Sequence, residues 1–193
     1  MFSEKLAVIF PGMGYNGDKP LLYYAKKMAK AAGYDVIDVT YELPVKSKEI
    51  LNDKEGMKAA FEIALRQVEE QLSAIEFNKC EKILFVGKSI GTALAASYDK
   101  THNIDAAQLV FTPVPQTFDF LRAGCGTVFH GNADPWCPRE IANTKCEELG
   151  LELVIVEGGN HSLETGDPIR DIQELEDVME IVEKSLARED TDV

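Results

Sequence analysis

Six short apolar runs, each followed by a longer segment of helical periodicity, constrain this chain more than any other feature. The runs fall at residues 6–10, 36–41, 82–86, 108–112, 126–129 and 152–156. Several read as continuous apolar stretches rather than alternating ones, which is the pattern of a strand covered on both faces. Parallel neighbours need crossover connections, and the intervening segments supply them. Pro20 opens one helix with Leu21, Ala25, Met28 and Ala32 at helical spacing and Gly33 to stop it. Asn52 or Asp53 caps a second, along which Met57, Phe61, Ala64, Leu65, Val68, Leu72 and Ile75 recur. An Ala-rich segment at 92–97, a segment at 138–149 ending on Gly150, and a last one carrying Ile169, Ile172, Leu175, Met179, Val182 and Leu186 complete the set. The expected fold class is α/β: a three-layer αβα, doubly wound, mostly parallel six-stranded sheet. Residues 1–193 are expected to form one domain, with 188–193 a frayed tail.

Charge narrows the partners. A net charge of −13 repels nucleic acid and anionic membrane surfaces, so a small-molecule partner is expected, and no length of apolar sequence suits a membrane span. The four cysteines form no CxxC pair, which speaks against a zinc or thioredoxin-like site and for reduced thiols in a cytoplasmic protein. The N-terminal apolar run is too short for a secretory signal. No metal or organic cofactor is implied. The oligomeric state stays open.

Three loops carry the chemistry. Gly87-Lys88-Ser89-Ile90-Gly91 lies between a strand and a helical segment, the context in which a GxSxG turn exposes a serine nucleophile at the carboxyl edge of a sheet. Beyond the fifth run, Gly131-Asn132-Ala133-Asp134-Pro135-Trp136 places an acid just past a strand. Beyond the sixth, Gly158-Gly159-Asn160-His161-Ser162 places a histidine at the same edge. Ser89, Asp134 and His161 thus follow the chain order serine, acid, histidine, each after a separate strand. His102 and His130 read as structural.

A competing signal is Gly12-Met13-Gly14-Tyr15-Asn16-Gly17, a full GxGxxG after the first run, with Asp35 and Asp38 about twenty residues on. Taken alone, Gly12, Gly14 and Gly17 would favour a dinucleotide-binding protein. Pro11 at the tight turn and Asp18 beside the phosphate position weaken that reading. Gly87-Lys88-Ser89 also ends like a phosphate-binding loop, but Lys82 stands where the leading glycine is needed.

Together the Gly87–Gly91 turn, the Pro11-Gly12-Met13-Gly14 loop, Asp134 within GNADPWCP and His161 within GGNHSLE resemble the α/β-hydrolase superfamily, in particular its compact, cap-less, dienelactone-hydrolase-like and small carboxylesterase-like members. The resemblance covers nearly the whole chain and departs from the family in two places. The chain lacks the antiparallel opening pair of strands, and Pro11 stands in place of the frequent histidine of the oxyanion motif. It implies a serine hydrolase acting on an ester, thioester or lactone through an acyl-enzyme on Ser89. His161 would be the base and Asp134 its orienting acid. Backbone N–H groups of Met13 (or Gly12) and Ile90 would form the oxyanion hole. The 113–121 segment is too short for a cap, leaving an open site with Gly12, Met13, Tyr15, Phe118 and Trp136 as candidate walls. Lys88 reads as a solvated side chain, with attraction of an anionic acyl group as the alternative. The rival from another class is a catalytically silent protein that binds a ligand or partner on the same fold.

Overall fold

The computed structural model describes residues 4–51 and 53–189. Its six strands are β1 (Lys5–Phe10), β2 (Asp35–Asp38), β3 (Lys82–Lys88), β4 (Ala107–Phe111), β5 (Gly126–Gly131) and β6 (Glu152–Val156). They form one sheet in the order β2-β1-β3-β4-β5-β6, and every strand pair is parallel. Five α-helices supply the crossovers among the described residues: α1 (Pro20–Ala31), α2 (Lys54–Leu72), α3 (Ile90–His102), α4 (Arg139–Leu149) and α5 (Pro168–Glu189). The order runs outward from β1 in both directions, so the crossovers put helices on both faces of the sheet.

Side-chain alternation along the strands divides the core. Ala7, Ile9, Leu84, Val86, Leu109, Phe111 and Phe129 pack against Leu22, Ala25 and Ala29 of α1 and Val178, Met179 and Val182 of α5. Leu6, Val8, Phe10 and Phe85 pack against Ala64, Val68 and Leu72 of α2 and Leu94 and Tyr98 of α3. Val110 and Val128 meet Ala142 and Cys146 of α4. Burial on both faces is why the central strands β1, β3, β4 and β5 carry apolar side chains at consecutive positions, the pattern that predicts them from sequence, while β2 and β6 at the sheet edges are only partly buried.

Helix ends follow local chemistry. Asp53 caps α2 by accepting a hydrogen bond from the Gly56 amide at 3.0 Å, whereas Asn52, the alternative cap, lies outside the described residues. Pro20 occupies the first turn of α1, and Gly150 ends α4 at φ 62°. β2 is shorter than the apolar run 36–41: the Val39 amide still donates to the Ile9 carbonyl of β1 at 3.0 Å, but from Thr40 on the backbone bonds α2 instead, through Gln71. Of the expected frayed tail, Arg188 belongs to α5 and pairs with Glu152 at 2.9 Å. Residues 190–193 lie outside the described part.

α3 carries the serine turn at its start and is fixed at its other end by a buried carboxylate. Asp99, 1% exposed, accepts from the Ala106 amide at 3.0 Å, from Gln108 Nε2 at 3.1 Å and from Arg122 Nε at 2.9 Å. Removing it strands three donors. Asp99→Ala should lower stability by about 3 kcal/mol, the range for breaking a buried charged pair, read as a reduced midpoint in urea unfolding.

Candidate active site

The serine turn is built by close packing. Ser89 adopts φ 57° and ψ −125° between β3 and α3, a conformation costing about 1–3 kcal/mol for a residue with a Cβ. The flanking glycines permit it sterically. A Cβ at Gly87 would lie 2.7 Å from Thr92 Cα, and one at Gly91 would overlap the Phe10 and Pro11 carbonyl oxygens. The turn is then pinned by the Ser89 amide donating to the Phe111 carbonyl at 3.0 Å and by Thr92 Oγ1 donating to the Ser89 carbonyl at 2.6 Å.

The acid and histidine loops are locked to each other. The Ala133 amide donates to the Gly159 carbonyl at 3.0 Å and the Gly158 amide to Asn132 Oδ1 at 2.6 Å, while Gly131 leaves no room for a Cβ against Gly159. Asn160 Oδ1 accepts from the Ser162 amide at 2.7 Å, and Thr112 Oγ1 donates to the His161 carbonyl at 3.0 Å. This scaffold brings His161 Nε2 to 2.7 Å from Ser89 Oγ and His161 Nδ1 to 2.7 Å from Asp134 Oδ2. The other Asp134 oxygen accepts from the Trp136 amide at 2.9 Å, and the Trp136 ring lies 5.5 Å from the imidazole. The arrangement is one continuous hydrogen-bonded chain, serine to histidine to a buried carboxylate.

The glycine loop leans over the serine. A Cβ at Gly12 would sit 3.2 Å from Ser89 Cβ. Gly12 and Tyr15 exchange backbone hydrogen bonds of 2.9 and 3.1 Å, so the Gly12 N–H is already committed to the Tyr15 carbonyl. The Tyr41 hydroxyl donates to the Pro11 carbonyl. The loop runs on through Gly17, which packs on the Lys26–Asp38 ion pair, before α1 begins at Pro20. A dinucleotide site needs the glycine turn to open directly into a helix, so the geometry gives that reading no support.

Ser89 and His161 line a cavity of about 660 Å³ together with Met13, Gly14, Tyr15 and Trp136. Gly12 instead lines an adjoining cavity of about 840 Å³, which shares Met13, Gly14 and Tyr15 with the first. Phe118 is not a wall: it is buried against Val110, Val128 and Cys137, because the short helical turn at Pro115–Asp119 rotates it into the core under α4. Lys88 departs furthest from expectation. It is 1% exposed rather than solvated, with its ammonium 4.8 Å from the Tyr15 ring centre. The turn that projects Ser89 outward drives its predecessor inward under the glycine loop. Ser47, Lys48, Ile50, Leu51 and Met57 also line the serine cavity and carry no sequence signal for it, whereas Val114, which lines it too, follows β4 at the same edge and could have been found by position.

With this geometry established, comparison places the fold. No protein-family model matches the chain, and no curated protein matches it by sequence. Solved structures do. XC6422 from Xanthomonas campestris, an α/β serine hydrolase without a lid, superposes with a TM-score of 0.59 over 97% of this chain and 83% of its own at 14% identity. Est1E from Butyrivibrio proteoclasticus, solved with ferulic acid bound, gives 0.63 over 96% and 91% at 13% identity. An α/β serine hydrolase homologue from Coxiella burnetii gives 0.57 over 95% and 86% at 17% identity. The chain has the α/β-hydrolase fold. Among the described residues no helix is long and apolar enough to cross a membrane.

Within this α/β-hydrolase fold the histidine's environment sets its charge. Burial pushes the His161 imidazole below its ordinary value of 6.5, opposed by the hydrogen bond to Asp134 and reinforced by the positive charge of Lys88. The neutral form, able to accept a proton from Ser89, therefore persists to lower pH than in a free imidazole. Followed by NMR, His161 should titrate below 6.5, and Asp134→Asn, which removes the supporting carboxylate, should move the midpoint lower still.

Proposed function

We propose that the protein is a serine hydrolase that cleaves a small acyl ester, thioester or lactone through an acyl-enzyme on Ser89. The observation that carries the reading is the hydrogen-bonded chain from Ser89 Oγ through His161 to Asp134, 2.7 Å at each link. His161 Nε2 takes the serine proton as Oγ attacks the acyl carbon, and Asp134 holds the Nδ1–H tautomer and stabilises the imidazolium that results. The same proton then goes to the leaving alkoxide or thiolate. Water repeats the sequence on the acyl-enzyme and returns Ser89 to its starting state.

Backbone N–H groups of Met13 and Ile90 are assigned to the tetrahedral oxyanion, each donor worth about 3 kcal/mol in comparable sites. Supporting Met13 over Gly12 is the bond that already occupies the Gly12 N–H. Supporting Ile90 is its position as the first residue of α3, where an amide has no partner within the helix. An apolar groove of about 410 Å³ between α2 and the Pro115–Asp119 turn shares Met57, Ile90 and Val114 with the serine cavity and gives an alkyl or aryl group of the substrate a place to lie. We assign a small-molecule acyl compound as the partner.

A panel of short-chain aryl esters tests this. The native protein should turn them over, Ser89→Ala should abolish turnover, and Asp134→Asn should lower kcat by about 10⁴-fold with the fold retained. No turnover across the panel would favour a silent ligand-binding protein. Turnover that survives Ser89→Ala would displace the assignment of the nucleophile.

A further inference from the structure

The linings of the serine cavity and of the cavity beside it are opposite in charge to the rest of the molecule. The chain carries 33 Asp and Glu against 20 Lys and Arg. Yet among the described residues the serine cavity is lined by Lys48 and Lys88, the adjoining one by Lys46 and Lys48, and neither by any Asp or Glu. Glu49, beside them in sequence, is turned back to accept from the Lys46 amide at 3.0 Å.

Lys88 is the unusual member. It immediately precedes the nucleophile, is 1% exposed, and has no carboxylate within ion-pair distance among the described residues. Its recorded partner is the Tyr15 ring, a cation–π contact worth about 2 kcal/mol when desolvated and far short of the hydration an ammonium loses on burial. The nearest carboxylates that act on it are at a distance. Asp134 is engaged by His161 and the Trp136 amide, and Glu164 is exposed. Burial accordingly pushes the Lys88 ammonium down to about 7, against the pull of Asp134 and Glu164. Lys88, held beside Ser89 and facing a carboxylate-free cavity, is a site where a bound carboxylate would complete its protonation and supply the missing counter-charge.

We infer that the acyl compound cleaved at Ser89 carries a carboxylate close to its reacting carbonyl, recognised by Lys88 in the cavity wall with Lys48 at the mouth. The inference rests on the hydrolase reading for the reaction, but the anion site itself stands on the cavity and its lysines. A bound carboxylate supplies the counter-charge that the protein withholds from Lys88, and the cavity's positive potential draws anions toward a site on an otherwise acidic protein, where they would be repelled. Neutral esters of the same shape leave the ammonium unpaired and bind less well.

Two measurements test it. In the first, release of nitrophenol is compared between 4-nitrophenyl hydrogen succinate, glutarate and adipate and the same esters with the distal carboxylate methylated, after correction for spontaneous hydrolysis. 4-Acetoxybenzoate and its methyl ester place the charge on the alcohol side instead. The native protein should prefer the anionic member of at least one pair by about tenfold in kcat/KM, equivalent to about 1.4 kcal/mol. Lys88→Met should bring that ratio to near one, and Lys48→Glu, an exposed change, should lower it even if Lys88→Met does not fold. In the second, glutarate and adipate binding is measured by calorimetry, with saturable binding expected for the native protein and a loss of at least about tenfold in Lys48→Glu. A native preference for the methylated esters, or a ratio unmoved by both substitutions, would overturn the inference. So would absence of dicarboxylate binding. Dicarboxylate binding without turnover of any ester would overturn the hydrolase reading and leave the anion site in place.

Discussion

Ser89 holds a left-handed backbone conformation that no residue with a side chain adopts without help, and the rest of the site is arranged around the groups that enforce it. The turn can be this tight because β3 delivers the chain between its neighbours β1 and β4, and because α3 leaves along a path that only glycine at 87 and 91 can share with Thr92 and the end of β1. The same turn has two outputs. It lifts the Ser89 hydroxyl to the sheet's edge, and it forces Lys88 beneath the Gly12–Tyr15 turn. Nucleophile and buried cation are adjacent outcomes of one backbone constraint.

The electrostatics follow from that adjacency. Asp134 is held on two sides, by His161 Nδ1 and by the Trp136 amide, and acts on Lys88 through space without a direct ion pair. Burial, reinforced by Lys88, holds the His161 imidazole below its ordinary value, which favours its neutral form. A carboxylate placed against Lys88 would supply a counter-charge that no ion pair among the described residues gives it, and the serine cavity and the one beside it, lined by lysines and no carboxylate, are where an anion would be drawn on an otherwise acidic protein. On the proposed reading, substrate choice and the protonation of His161 are coupled through a single lysine side chain.

Much of this is legible in the sequence, for identifiable reasons. Strands covered on both faces carry consecutive apolar residues, so short apolar runs mark the strands, and the loops that follow β3, β5 and β6 carry Ser89, Asp134 and His161 to one sheet edge. What is not legible depends on where a side chain points after a turn. Phe118 has the composition of a pocket wall, but a short helical turn carries it into the core. Lys88 has the composition of a surface residue, but the strained turn carries it inside. Ser47, Lys48, Ile50, Leu51 and Val114 enter the cavity by virtue of loop paths that no periodicity encodes. The glycine loop also matches a phosphate cradle in sequence, a reading that Pro11 and Asp18 weaken and that the Gly12–Tyr15 hydrogen bonds and the loop's distance in sequence from α1 leave without support.

The central claim is that Ser89 is an activated nucleophile, and covalent labelling addresses it without knowledge of the substrate. Treated with a fluorophosphonate at neutral pH, the native protein should gain the mass of one phosphonyl group, located by peptide mapping on Ser89, with the adduct absent from Ser89→Ala. An unlabelled native protein, or labelling that persists in Ser89→Ala, would contradict the account.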